Sequence, residues 1–311
     1  MIRSRKGFFK KERIHLYRKK GLVAILSMNK KWIPGISSSF FGSLDENVFA
    51  ECADAGIKLL EISFGNCEKS DGVDLVKAKH YADESGVKLW SFHIPFAPFD
   101  TVDPSFIDEE KRRYTVRKFC GYIRSAADVG IEIAVIHASG EPITEERQKR
   151  LESAKKSLLE IADYAGSLGV RVAVEDLPRT CIGNCSDEIA EILSVSDNIG
   201  VAFDTNHLTA QDNLDFIASV GKKIITTHFS DYDFIDERHL LPGEGKINWK
   251  PLMEALDRVG YKGPIIYEIS RGSTTNIVRK TPLSAKAVIK NHSALVSYRQ
   301  PEPIDVFMPK P

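Results

Sequence analysis

Cysteine is scarce: five in 311 residues, an odd number, none in a C-x-x-C pair. That excludes a fully paired disulfide framework and argues against a zinc ribbon; the expected setting is a reducing cytoplasm. Cys181 and Cys185 sit close together and read as packing residues rather than a redox or metal pair. No stretch approaches the roughly 20 apolar residues that a membrane-spanning helix needs, so no membrane partner is expected. A glycine-rich phosphate loop opening a helix is also missing. Net charge is zero, but unevenly spread: Met1 to Lys20 holds nine Lys or Arg against Glu12 alone, leaving 34 basic and 42 acidic residues in the body. A predominantly acidic body argues against nucleic acid as a partner. The basic segment reads as an extension over residues 1–28, with Met28 an alternative start.

What is present is a globular composition, 42% hydrophobic and 28% charged. The length suits one (β/α)8 barrel of about 250 residues with extensions. Eight short apolar segments predict strands: Trp32–Ile36, Leu59–Ile62, Lys88–Phe92, Ile133–Ile136, Arg171–Val174, Ile199–Phe203, Ile224–Thr227 and Pro264–Tyr267. Between the fourth and fifth, Leu151, Ala154, Leu158, Ile161, Ala165 and Leu168 recur at helical spacing, after a Thr144 cap and before Gly169. Asn248 to Val259 repeats the form, with Gly260 at the stop. An open doubly wound sheet is the alternative, but eight units without a phosphate loop favour closure. The expected organisation is an extension over 1–28, a TIM-barrel catalytic domain over 29–298 and a short C-terminal tail over 299–311.

Four of the apolar runs end on residues that bind divalent metals: Glu175, Asp204, His228 and Glu268. In a parallel barrel every strand end opens on one face, so these four converge there. Their oxygen and nitrogen donors suit Mn, Mg, Co or Zn better than a thiolate site would. Of eight histidines, five lie at predicted strand ends or just beyond: His93, His137, His207, His228 and His239. Buried glutamates ending apolar strands are costly unless a cation compensates them.

Together, Val174-Glu175-Asp176-Leu177-Pro178, Phe203-Asp204-Thr205-Asn206-His207, His228-Phe229-Ser230-Asp231, Arg238 to Gly245 and Tyr267-Glu268 resemble the xylose isomerase-like barrels. That superfamily includes sugar and sugar-phosphate isomerases and epimerases as well as endonuclease IV. The likeness spans about Lys31 to Arg271. It implies one divalent ion held by Glu175, Asp204, His228 and Glu268. It also implies Glu175 and Glu268 as an acid/base pair that moves a proton beside a carbonyl through an enediolate. His93, His137, His207, Arg238 and His239 are then expected to bind substrate: a sugar, sugar phosphate or related polyol ketone.

Three alternatives stand beside this reading. Endonuclease IV binds three zinc ions through nine ligands, and eight have counterparts here; the ninth departs, with Glu237-Arg238-His239 where that family has Asp-Arg-His. Dehydration of a keto sugar or cyclitol uses the same proton abstraction, and a non-catalytic binding module would require loss of the acid/base pair. Two positions also depart from ketose 3-epimerases: Phe234 stands where those enzymes carry an arginine, and Cys181 where they carry a second glutamate. The backbone amides around Gly243 and Gly245, with Arg238, are a candidate anion site, and Arg271 is another. Barrels of this group often pair, so a homodimer is among the expected states.

Overall fold

In a computed structural model of the chain, eight parallel strands pair in sequence order and the last closes on the first. The structure describes residues 32–274, 277–304 and 307–309; the extension assigned to 1–28 lies outside the described residues. The strands are β1 (Pro34–Ser37), β2 (Leu59–Ile62), β3 (Lys88–His93), β4 (Ile133–Ile136), β5 (Arg171–Glu175), β6 (Ile199–Asp204), β7 (Ile224–Phe229) and β8 (Ile265–Tyr267). Pairing of Pro34 with Ile265 and Ile36 with Tyr267 completes the cylinder, so the architecture is the TIM barrel and not an open sheet. Strands covered on both faces must be apolar on both, which is why these segments read as continuous hydrophobic runs rather than alternating ones. Among the described residues no helix is long and apolar enough to cross a membrane.

Two apolar layers result. Alternate strand residues face outward into a large core shared with the helices, including Ile36, Leu60, Ile62, Val172, Val174, Val201 and Phe203. The others face inward, where Ile133, Val135, Ala173 and Ala202 form a small cluster closed by Trp90 and Ile225. Ala173 and Ala202 lie two residues before Glu175 and Asp204, hence on the same face. The inner apolar plug therefore sits beneath the polar strand ends.

The strands run further than the apolar pattern predicts. β5 continues to Glu175, β6 to Asp204 and β7 to Phe229, and Glu175 pairs in register with Ala202 as Asp204 does with His228. Glu268 falls one residue beyond β8, yet its N–H still donates to the Phe229 carbonyl at 3.2 Å. All four strand-end candidates are thus fixed by ladder hydrogen bonds rather than carried on loops.

The helix predicted after Thr144 begins at Arg147 and runs to Ser167. Thr144 is not its cap: the preceding residue is Glu146, at φ 54°, and it makes no side-chain cap bond. Tertiary contacts fix this end instead, since the Arg147 guanidinium donates to Glu188, to Asn184 and to the carbonyls of Thr180 and Cys181. The later helix spans Trp249–Arg258 and buries Leu252, Ala255 and Leu256 as its stripe requires. Beyond the barrel, β9 (Ile277–Arg279) pairs antiparallel with β10 (Phe307–Pro309). Arg279 is joined to Glu244 by two buried contacts of 2.9 and 2.6 Å, which ties this segment to the loop after β7. In the tail, the Gln300 side chain bonds Trp249 N and Ile247 O, so that segment is anchored as it leaves the last helix.

Gly35 marks how closely the inner layer packs. A methyl group there would collide with Ile266 Cδ1 and stand 3.0–3.1 Å from Leu59 Cβ and O. Gly35→Ala is therefore expected to destabilise the barrel by about 1–3 kcal/mol through overpacking. The check is the urea midpoint, with an unchanged value sinking the account.

Candidate metal centre and ligand cavity

Glu175 is the hub of the site. Its carboxylate is fully buried; Oε2 lies 2.9 Å from His93 Nε2 and 3.0 Å from His137 Nε2, and Oε1 lies 2.7 Å from His228 Nδ1. Glu268 Oε2 is 3.0 Å from the same His228 nitrogen, and Asp204 Oδ2 is 3.8 Å away. One ligand atom from each of Glu175, Asp204, His228 and Glu268 can be chosen so that all lie within 4.8 Å of one another. The structure thus brings together the four residues that the strand ends single out.

Two observations fit a cation at this point. Asp204 Oδ2 is buried without a hydrogen-bond partner, although Oδ1 accepts from Asn206 N at 2.6 Å. A buried orphan carboxylate oxygen is expensive unless something positive faces it. The second observation is His228, whose two ring nitrogens both face carboxylates. Carboxylates only accept, so both nitrogens must carry protons when nothing else is bound. The proton on Nδ1, shared between Glu175 and Glu268, occupies the place a metal ion would take.

The ionisation pattern follows from the same geometry. Burial would raise the Glu175 pKa, but the charges of His228 and His93 and the bonds from His137 and His228 hold it well below the usual carboxylate range. Glu268 behaves likewise: burial opposes ionisation, His228 outweighs it, and the pKa falls to about 2. Asp204 goes the other way, to about 6, because burial and the charges of Glu175 and Glu268 outweigh attraction from His207. Burial disfavours a charged His93, yet Glu175 raises its pKa; its Nδ1 faces the Ile94 carbonyl at 3.2 Å, so both of its nitrogens act as donors.

Above the cluster lies a cavity of about 170 Å³. His93, His137, His207 and His239 all line it, with Phe96 stacked on His137 at 4.2 Å between ring centroids. His207 Nδ1 donates to the Asp176 carbonyl at 2.8 Å and His239 Nδ1 to the Glu268 carbonyl at 3.1 Å, which turns both Nε2 atoms toward the site. His207, Glu237 and His239 form a second group whose ligand atoms also lie within 4.8 Å. Its carboxylate is partly committed, because Arg179 Nη1 lies 2.9 Å from Glu237 Oε1.

Arg238 does not line the cavity; its Nε donates to Asp233 at 2.9 Å. Arg271 is paired with Glu51 at 3.1 Å and lies over the Phe40 ring. Nor are the amides around Gly243 free for an anion. Asp231 takes Gly243 N, Ile247 N, Tyr232 N and Trp249 Nε1, and Lys246 N bonds the Tyr232 carbonyl. Phe234 packs edge-on to Tyr232, outside the cavity lining. Cys181 does line the cavity, with burial raising its thiol to about 12.

Two residues enter that the sequence reading passes over. Arg179, at φ 51°, reaches across the cavity mouth to Glu141, to Asp236 at 2.8 Å and to Glu237. Glu61 on β2 is fully buried behind His228. Its signal was present: a carboxylate inside Leu59-Leu60-Glu61-Ile62 breaks an otherwise apolar strand.

Comparison with known proteins gives a consistent outcome. The family model described as xylose isomerase-like TIM barrel matches residues 49–291. The uncharacterized protein MJ1311 of Methanocaldococcus jannaschii is 27% identical over 216 residues, 66% of this chain and 71% of that protein. An inosose isomerase of Bacillus subtilis is 27% identical over 179 residues, 53% of this chain and 63% of that protein, so the match spans less than two thirds of the enzyme's length. A crystal structure of a D-tagatose 3-epimerase-like protein superposes with a TM-score of 0.70 at 23% identity, covering 86% of this chain and 97% of that one. That likeness establishes the shared fold.

A cation held by the native cluster and not by the unfolded chain must stabilise the protein. Mn²⁺ or Co²⁺ at a hundred times its Kd is expected to add about 2.7 kcal/mol, reversed by a chelator. Asp204→Ala should abolish the metal-dependent rise in Tm. An equal rise in the variant would place binding elsewhere.

Proposed function

Because the chain belongs to the xylose isomerase-like TIM-barrel family, we propose that it is a divalent-metal-dependent isomerase or epimerase of a keto sugar or related polyol ketone. The observation carrying this is the pair Glu175 and Glu268, both within 3.0 Å of one His228 nitrogen, with the orphan Asp204 Oδ2 beside them. An ion bound by Glu175, Asp204, His228 and Glu268 would supply positive charge against the negative charge that develops on a substrate carbonyl oxygen.

The chain's own residues supply the rest. One glutamate removes the proton from the carbon beside the carbonyl, leaving an enediolate, and the other returns a proton to the opposite face. Glu268, with its side chain 16% exposed, is the more accessible; Glu175 is held by three histidines. Carboxylates with depressed pKa values are weak bases, so the transfer relies on close placement over the acidic carbon. His137, His207 and His239 face the cavity and are assigned to the substrate's oxygens.

The cavity lining carries charges of both signs. Among the described residues lining the cavity the one arginine or lysine is Arg179, already bound to three carboxylates; Glu141, Glu175, Glu237 and Glu268 contribute negative charge, and His207 and His239, where neighbouring carboxylates outweigh burial and raise the pKa to about 10 and about 9, contribute positive charge. A ketose or cyclitol ketone brings hydroxyl and carbonyl oxygens that these histidines can meet as hydrogen-bond partners. The inosose isomerase among the relatives accords with that class.

Purified protein loaded with Mn²⁺ or Co²⁺ is expected to exchange the carbon-bound proton of a keto sugar or inosose in deuterated water. Glu175→Gln and Glu268→Gln should each slow exchange by about a hundredfold to ten-thousandfold. If both variants exchange as fast as the parent, the acid/base assignment is wrong. Loss of water from the product would convert the reading to a dehydratase. The His207, Glu237 and His239 group favours the nuclease alternative, which zinc-dependent cleavage of abasic duplex DNA would establish in place of this one.

A further inference from the structure

Glu61 is the one charged residue in β2 and has no exposure to solvent. Its neighbours Leu60 and Ile62 face the helices as part of the outer core, so Glu61 faces the barrel interior. The β2–β3 register slips between Leu60 and Glu61: Leu60 pairs with Leu89, whereas Glu61 pairs with Ser91. A bulge of this kind re-aims side chains. Here it sets Ser91 Oγ to donate to Glu61 Oε2 at 2.6 Å.

The other partner of Glu61 is His228. Its Nε2 lies 2.9 Å from Oε1 and 3.1 Å from Oε2, on the side of the ring away from Glu175, Asp204 and Glu268. Glu61 is not among the residues that converge with the four strand-end ligands. A carboxylate only accepts, so Nε2 must carry a proton. Once that proton is fixed, a neutral His228 has its lone pair on Nδ1, the atom facing the three other ligands. The ring also stacks on His93 at 5.6 Å, which restrains its tilt.

We propose that Glu61 is a positioning residue for the metal centre: with Ser91, it locks His228 as the Nε2–H tautomer and presents Nδ1 to a divalent cation. The inference rests on the reading that Glu175, Asp204, His228 and Glu268 hold the ion. A negative charge behind the imidazole also makes Nδ1 a stronger donor, and such partners of ligating histidines are commonly worth about 10–100-fold in metal affinity. A purely structural ion pair would leave both affinity and tautomer indifferent to Glu61.

The test measures Zn²⁺ and Co²⁺ affinity by competition with a fluorescent chelator at one pH, for the parent, Glu61→Gln, Ser91→Ala and His228→Ala. Nitrogen NMR of histidine-labelled, zinc-loaded parent protein reads the tautomer directly. The expected results are a protonated Nε2 and unprotonated Nδ1 on His228, and a loss of about 10–100-fold in affinity for Glu61→Gln. Ser91→Ala should give a smaller loss in the same direction, and keeps the proposal testable if Glu61→Gln fails to fold. Parent-like affinity in folded Glu61→Gln, or a protonated Nδ1 in the zinc-loaded parent, overturns it. Parent-like affinity in His228→Ala would instead overturn the metal centre itself and this inference with it, whereas loss in His228→Ala alone would overturn only the role of Glu61.

Discussion

Burying a carboxylate is the constraint around which the rest of the site is arranged. Glu175 has no contact with solvent, and an isolated ionised group at that depth would cost many kcal/mol. Three imidazoles surround it, and each is oriented by a further acceptor or aromatic face: His93 by the Ile94 carbonyl, His137 by Phe96, His228 by Glu61. The apolar plug of Ile133, Val135, Ala173 and Ala202 beneath the site offers Glu175 no polar partner, so the histidines supply the compensation. Burial also strengthens every charge interaction among these groups.

The barrel and its four strand-end candidates were legible because both depend on local pattern. Apolar runs of three to six residues separated by helical stripes report parallel strands directly, and the residue closing each run must emerge on the common face. What the pattern does not encode is side-chain direction once the chain leaves the ladder. Arg238 carries the right chemistry at a plausible place, yet Asp233, five residues earlier, captures it. The Gly243 loop reads as an anion cradle, but Asp231 takes Gly243 N and Ile247 N, contacts 12 and 16 residues apart in sequence. Glu61 was hidden for the opposite reason: it sits one residue before the end of β2, so a search confined to terminal residues misses it, and the bulge that aims it is a property of the β2–β3 pairing.

Electrostatically the cavity is divided into two tiers. Below, histidines and carboxylates are close to mutual compensation; at the mouth, Arg179 faces Glu141, Asp236 and Glu237 and is outnumbered. The left-handed backbone at Arg179 costs roughly 1–3 kcal/mol, and the three carboxylates that grip its side chain hold the residue in that conformation.

The location of Asp204 and His228 in paired ladder positions, with Arg179 and Glu237 on the loops above, separates two kinds of evolutionary change. Lengthening or recomposing the loops alters which molecule is admitted without moving the strand ends, because ladder geometry does not depend on what lies beyond it. Changes in the loops can therefore leave the strand-end carboxylates and histidine in place. Phe234 and Cys181 both lie in loops, where a change of residue leaves the strand pairing untouched.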